Sequence, residues 1–343
     1  MIEKRPFETI SSLESCIFAG NKNLGMQKLE VIERKETRAG FGEGLLEAGK
    51  QQDNIVCLCA DLTSSVKMDL FAQTFPDRFF QIGIAEANMI GMAAGFAIAG
   101  KIPFAGSFAN FCTTRVLDQI RMAVAYSNTN VKICGSHAGI TLGEDGATHQ
   151  VMEDLGMIKA LPNMVVINPC DFNQTKAATI AIANYKGPVY LRFGRPAVPN
   201  FTQFDHKFEI GKALVMNEGS DVSIFATGHL VFPSLQAAYI LAQKGINAEV
   251  INIHTIKPLD KEKILQSVHK TRCVVTAEEH LINGGLGDSI AQLLVQNFPC
   301  PQEYVAVDDR FGESGMPMEL MQEFNLTENS IVDAAMKVIM RKA

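Results

Sequence analysis

The 343-residue sequence contains no Cys-x-x-Cys pair, no basic surplus and no apolar run long enough to span a bilayer, and each absence removes a class of function. Its eight cysteines come no closer than Cys57 and Cys59, on an apolar run and without a zinc-type Cys-to-His spacing. They read as reduced core thiols. With 31 basic against 37 acidic residues, the net charge of −6 argues against nucleic acid or an anionic membrane as the main partner. The charged start at residues 1–5 leads into no apolar segment. Neither a secretory signal nor a membrane anchor is therefore expected, and the cytoplasm is the default address.

Apolar residues make up 47% of the chain and charged residues 20%, ordinary usage for a compact protein, and the length suits two domains. Residues 1–30 show no sustained period and read as an N-terminal extension. A helical pattern over 31–50 follows, broken by Gly40, Gly42 and Gly44. Short β-rich runs at 54–60, 79–81, 131–134, 165–168 and 189–193 then alternate with helix-like stretches, the rhythm of a parallel sheet with crossover helices. Pro196 and Pro199 interrupt that rhythm, and the aperiodic stretch 200–208 reads as a linker. A smaller alternation follows, with strands at 222–226, 248–253, 272–277 and 304–307. The expected fold is α/β, with parallel or mixed sheets flanked by helices in two domains, 31–200 and 201–343.

Two segments carry chemistry. Residues 83–100, GIAEANMIGMAAGFAIAG, contain a single charge, Glu86. A first-turn glutamate complementing the helix N-terminus explains it blandly. Buried among apolar neighbours, the same carboxyl group could instead share a proton with a heterocyclic nitrogen. The small residues at 91, 93, 94, 95 and 97 would let this helix pack closely, including across a subunit interface. Residues 136–150, SHAGITLGEDGATHQ, gather two histidines, two carboxylates and three glycines beyond a strand, where parallel sheets bind ligands. His137, Asp145 and His149 could hydrogen-bond hydroxyl groups and move protons, whereas their spacing matches no known metal set.

GIAEANM, then FANF, then SHAGITLGEDGATHQ, with RFGESG near the end, resembles the C-terminal half of transketolases from about residue 31 onward. The resemblance implies a thiamine diphosphate-binding pyrimidine domain followed by a transketolase C-terminal domain. It implies that Glu86 hydrogen-bonds N1′ of the aminopyrimidine and promotes the imino tautomer that activates the cofactor. Phe108 and Phe111 match aromatics that stack on the pyrimidine, and Asp61 matches an acidic residue near the cofactor. Thr114 stands where a tyrosine is common. His137 and Asp145 would meet the donor's hydroxyls, and His149 the carbonyl oxygen. Arg38, Ser65 and Arg195 match residues that bind the substrate phosphate, with Arg192 able to exchange roles with Arg195.

No Gly-Asp-Gly occurs in the chain. The resemblance therefore implies an N-terminal partner subunit that holds the diphosphate and a divalent metal such as Mg²⁺, no metal site in this chain, self-association through the pyrimidine domain, and a two-fold heterotetramer. Gly287-Asp288-Ser289 is the nearest approach and is expected to open a helix. Sugar phosphates are the expected substrates, in a two-carbon ketol transfer from ketose to aldose. Three alternatives stand beside this reading. The β subunit of a 2-oxo acid dehydrogenase would lack the paired-histidine loop. A deoxyxylulose phosphate synthase would carry Asp-Arg-Ala-Gly where residues 136–139 read Ser-His-Ala-Gly. A non-catalytic binding subunit would have no need of Glu86, His137, Asp145 and His149 together.

Overall fold

The computed structural model describes residues 33–203 and 207–342, so the extension assigned to residues 1–30 and the middle of the linker lie outside the described residues. Predominantly apolar runs become the central strands. Ile55–Cys59 and Val222–Ala226 are buried at every position, as parallel strands covered on both faces must be. In chain order the first half supplies β1 (Arg34–Glu36), β2 (Ile55–Cys59), β3 (Phe79–Gln81), β4 (Ile102–Phe108), β5 (Lys132–Ser136), β6 (Val165–Ile167), β7 (Val189–Arg192) and β8 (Ala197–Pro199). The second half supplies β9 (Leu214–Asn217), β10 (Val222–Ala226), β11 (Ala248–Asn252), β12 (Thr255–Lys257), β13 (Val274–Leu281) and β14 (Gln302–Val307).

A seven-stranded sheet has the order β12-β6-β7-β5-β4-β2-β3, and a five-stranded sheet the order β14-β13-β10-β11-β9. Both are parallel except at one edge, where β12 and β9 run antiparallel to their neighbours. The sequence pattern does not foretell β12, which leaves the second half of the chain to pair with β6 of the first. The helical pattern expected over 31–50 also needs correction. Arg34–Glu36 is a strand paired with Ala197–Pro199, and the helix runs over Thr37–Gln51. The two prolines, expected as an interruption, instead flank and end this short edge pairing, where a missing amide is tolerated.

The helix Thr37–Gln51 packs on the helix Phe172–Asn184 through its glycines. A Cβ at Gly40 would stand 2.3 Å from the Phe172 carbonyl oxygen, and one at Gly44 2.7 Å from that of Lys176. The chain runs outward from β2 to β3, then returns across β2 to build β4, β5 and β7. Such a reversal leaves a crevice beyond the carboxyl ends of the strands. Among the described residues no helix is long and apolar enough to cross a membrane.

Candidate functional site

Glu86 is the first residue of the helix Glu86–Ile98 and is only 3% exposed. Its charge complements the amide end of that helix, so the bland explanation is true as far as it goes. It does not account for the burial. Among the described residues one cation reaches the carboxylate: Arg115 places Nη1 3.1 Å from Oε2, while its own side chain stands half in solvent. The same guanidinium lies 4.5 Å from the centre of the Phe111 ring. Glu86 is thus a buried acid whose single ion-pair partner among the described residues is half exposed to solvent.

Next to it runs a wall of rings. Phe108 ends β4 and Phe111 sits on the short helix Ala109–Thr113, their rings 5.9 Å apart and 18° from parallel. Phe108 stacks on His137 at 4.0 Å, and His149 meets the Phe111 ring edge-on at 5.3 Å. Offset, near-parallel rings of this kind accept a flat heterocycle between or beside them. Thr114 is exposed and contributes no ring to the wall; Arg115 is the residue that lies over Phe111.

His137 is 3% exposed and adopts a positive φ of 58°, a conformation that a non-glycine residue rarely takes and that recurs at sites held by their surroundings. Arg38 Nη1 lies 3.4 Å from His137 Nε2, and Ser136 Oγ lies 2.8 Å from Nδ1. A guanidinium can only donate, so Nε2 carries the lone pair and Nδ1 the proton, which it donates to Ser136. Burial, followed by the charges of Arg38, Arg195 and Lys67, pushes His137 down from 6.5 to about 3. It is a neutral imidazole at any physiological pH.

Arg38 is heavily engaged. Glu36 takes its Nε at 3.1 Å and its Nη2 at 2.7 Å, and the Ser65 carbonyl accepts from Nη1 at 3.1 Å. The sequence points to the Ser65 hydroxyl, but it is the carbonyl of Ser65 that Arg38 meets. Arg195 donates to the Leu142 carbonyl and to Glu144, each at 2.8 Å. Asp145 is exposed on the same loop. Asp61 lies beyond β2 with a φ of 58°, its amide donating to Gln81 Oε1 at 2.7 Å. His149 is half-buried, with Nδ1 2.9 Å from the Thr148 hydroxyl.

Arg192 does not exchange with Arg195. It is buried, pairs with Asp154 at 2.8 Å and donates to the Glu279 carbonyl at 2.9 Å, so it belongs to the core. Asp288, in the GGLGDS segment, sits in the first turn of the helix Leu286–Asn297, whose leading amides donate to Glu278. Arg115 and Glu36 escape the sequence reading. Arg115 follows Phe111 at the four-residue spacing that shares a helical face, and Glu36 sits two residues before Arg38; those spacings are the available signals. Among the described residues no group of three or more His, Cys, Asp or Glu is placed to hold a metal.

The chain matches two families in succession: residues 33–200 match the transketolase pyrimidine-binding domain, and residues 211–331 the transketolase C-terminal domain. It is 46% identical to a 6-deoxy-6-sulfo-D-fructose transketolase subunit of a Clostridium species, over 92% of this chain and 98% of that one. It is 35% identical to one subunit of an apulose-4-phosphate transketolase from Phocaeicola vulgatus, over 88% of this chain and 97% of the relative. Among solved structures, a split-gene transketolase described as an inactive β4 tetramer superposes with a TM-score of 0.85 at 43% identity, covering 90% of this chain and 99% of its own. Two matched domains in order, full-length relatives and a common fold together place this chain in the transketolase family.

Proposed function

We propose that this chain is the C-terminal subunit of a split, thiamine diphosphate-dependent transketolase that moves a two-carbon ketol unit from a ketose to an aldose in the cytoplasm. The observation that carries the reading is Glu86, buried at a helix start beside the near-parallel Phe108 and Phe111 rings. An acid facing a flat aromatic wall fits an aminopyrimidine, which needs a carboxyl group at one ring nitrogen and stacking on its face. Thiamine diphosphate supplies the nucleophilic carbon and the electron sink for the two-carbon unit.

The chain's own groups then have distinct tasks. Glu86 holds a proton at the ring nitrogen, and Arg115 must turn aside to free it. His137, neutral and oriented by Ser136, receives a sugar hydroxyl, and Asp145, exposed on the same loop, receives another. His149 stands at the edge of the ring wall, suited to moving a proton at the carbonyl oxygen. Asp61 lies toward the cofactor. Arg38, Ser65 and Arg195 face the far end of the sugar, where a phosphate must compete with Glu36 and Glu144 for the two guanidinium groups.

Residues 31–200 form the pyrimidine-binding domain in this reading and residues 201–343 the C-terminal domain. The diphosphate and its Mg²⁺ belong to an N-terminal partner. The helix Glu86–Ile98 turns Gly91, Gly95 and Ile98 outward, and Ile84 just before it also faces out, with Ile84 76% and Ile98 78% exposed. That apolar, small-residue face suits self-association. The solved relative described as an inactive tetramer of one chain type supports the need for a partner.

Mixing this chain with a separately purified diphosphate-binding half, thiamine diphosphate and Mg²⁺ should yield ketol transfer that neither half shows alone. In that pair Glu86→Gln should cost roughly 10²- to 10⁴-fold in rate, the usual range for a lost acid–base group. Transfer by the lone chain, or an undiminished Glu86→Gln pair, would refute the reading.

A further inference from the structure

The loop that carries His137, Asp145 and His149 is fastened from the second half of the chain at both of its ends. At the first, Glu279 on β13, itself 2% exposed, accepts the Thr141 amide and the Thr141 hydroxyl on Oε1, each at 2.7 Å. Its other oxygen, Oε2, lies 3.2 Å from His229 Nδ1. The carboxylate fits against bare backbone: a Cβ at Gly139, where φ is +81°, would stand 2.2 Å from Glu279 Oε1. At the other end, Gln150 Nε2 donates to the carbonyls of Ile140, Gly143 and Glu313 at 3.1, 3.3 and 2.9 Å, tying the loop to the segment before Pro317.

His229 presses on a second arm of the site. A Cβ at Gly194 would stand 2.2 Å from its Cε1, and the Gly194 amide donates to Thr37 Oγ1 at 3.1 Å. Arg195 and Arg38 are the next residues along each of those two segments. Burial alone would push Glu279 up, but the hydrogen bond and charge of His229, then Arg192 and the Thr141 amide, leave it below the ordinary glutamate value. The group is a carboxylate with its lone pairs committed, fixed in a strand, and it touches the site loop only through backbone and Thr141.

We propose that Glu279, with His229, is a positioning residue: through Thr141 and Gly194 it sets where His137, Arg38 and Arg195 stand, so the C-terminal half shapes the sugar-facing side of the site. The inference rests on the function proposed above for that loop. A misplacement on the order of 1 Å in an orienting group can cost about 10²-fold in rate, so a clamp of this kind has a measurable reach. It does not touch Glu86, and the cofactor's own activation should not feel it.

Three variants test it. Glu279→Leu removes every side-chain acceptor, Thr141→Val removes the hydroxyl's contacts with Glu279 and His229 while keeping the shape, and Glu279→Gln keeps an acceptor for both Thr141 donors. In the full chain, amide hydrogen exchange at residues 139–146 should quicken at least tenfold in Glu279→Leu and several-fold in Thr141→Val, with residues 86–98 unchanged. In the reconstituted pair the ketose KM should rise at least tenfold in Glu279→Leu and stay within about threefold in Glu279→Gln. Exchange of the cofactor's thiazolium proton should stay within twofold throughout. Loop exchange and KM both within twofold of wild type in Glu279→Leu and Thr141→Val would overturn the proposal. Equal losses in KM and proton exchange would also overturn it, since they would mark a merely structural residue. The loop-exchange measurement needs no turnover. A wild-type pair without ketol transfer would remove the functional reading, while the exchange data still decided whether Glu279 holds the loop.

Discussion

Replacing Arg192 with methionine should unfold the chain far more readily although it removes none of the groups that face the sugar. Asp154 is fully buried, and its Oδ2 receives Arg192 Nε at 2.8 Å and the Tyr190 hydroxyl at 2.6 Å. Its Oδ1 already finds no hydrogen-bond partner among the described residues. Without the guanidinium one hydroxyl would have to stabilise a carboxylate with no access to water. Breaking one side of a buried ion pair costs about 3–5 kcal/mol. At roughly 2–4 °C per kcal/mol for a domain of this size, the melting temperature should fall by about 6–20 °C. The double replacement Arg192→Met with Asp154→Leu should recover most of that loss, because an apolar pair of similar volume is often no less stable than a buried ion pair. Thermal and urea unfolding of the full chain supply the measurement. Arg195→Met is the control: its exposed pairing with Glu144 is screened by solvent, so melting should barely move while the ketose KM rises. An Arg192→Met chain that melts within 2 °C of wild type, or a double variant that falls as far as the sum of both singles, would refute the reasoning.

Two pH dependences follow from buried bases. The unfolded chain protonates His137 near 6.5 whereas the folded chain resists until about 3, so stability held above pH 6.5 is lost as pH falls between those values. At pH 4.5 the loss assigned to this residue is roughly 2–3 kcal/mol, and a His137→Asn chain should lack it in urea titrations at pH 7 and pH 4.5. Lys132, wholly enclosed, is pushed down from 10.5 to about 7 by burial, so between those values the unfolded chain binds the extra proton and stability rises with pH. Its Nζ donates to Asn130 Oδ1 at 2.8 Å and to the Tyr185 and Gly187 carbonyls at 2.7 Å, which favours the ammonium and keeps that rise small. Lys132→Met should abolish the slope and, by stranding the Tyr185 and Gly187 carbonyls while Asn130 Oδ1 keeps the Gly187 amide, lower stability by about 2 kcal/mol or more at pH 7; a chain as stable as wild type would contradict this.

The contrast between the two arginines shows where sequence reading stops. Runs such as IVCLC and VSIFA announce buried strands because nearly every position is apolar, and Glu86 stands out because nothing near it is charged. Those features are local and survive without coordinates. Arg192 and Arg195 are three residues apart with similar neighbours, yet one is inside β7 facing Asp154 and the other lies past Gly194 in reach of the loop. Strand register decides which is core, and a one-residue shift would exchange the faces. The positive φ at His137 and Asp61 is equally hidden, since neither residue advertises it as glycine would. Arg115 on Glu86 spans 29 residues and depends on a break between the short helix Ala109–Thr113 and the turn Thr114–Val116.

These hidden contacts have one physical origin. Side chains at the carboxyl ends of parallel strands leave the sheet without a ladder to fix them, so other side chains, near or far in sequence, must orient them. Here Glu36 holds Arg38, Ser136 holds His137, Thr148 meets His149, and Glu279 holds the backbone between the two histidines. The last of these comes from a strand of the other sheet, 138 residues away in sequence. A motif reveals which groups will do chemistry because their residue types are demanding. Their supports only need to be hydrogen-bonding groups in the right place, and many residue types meet that need. Glu279, unlike the three local supports, takes its place only when the second half of the chain has folded against the first, which is also why it is a position where a substitution should alter substrate affinity and leave cofactor activation alone.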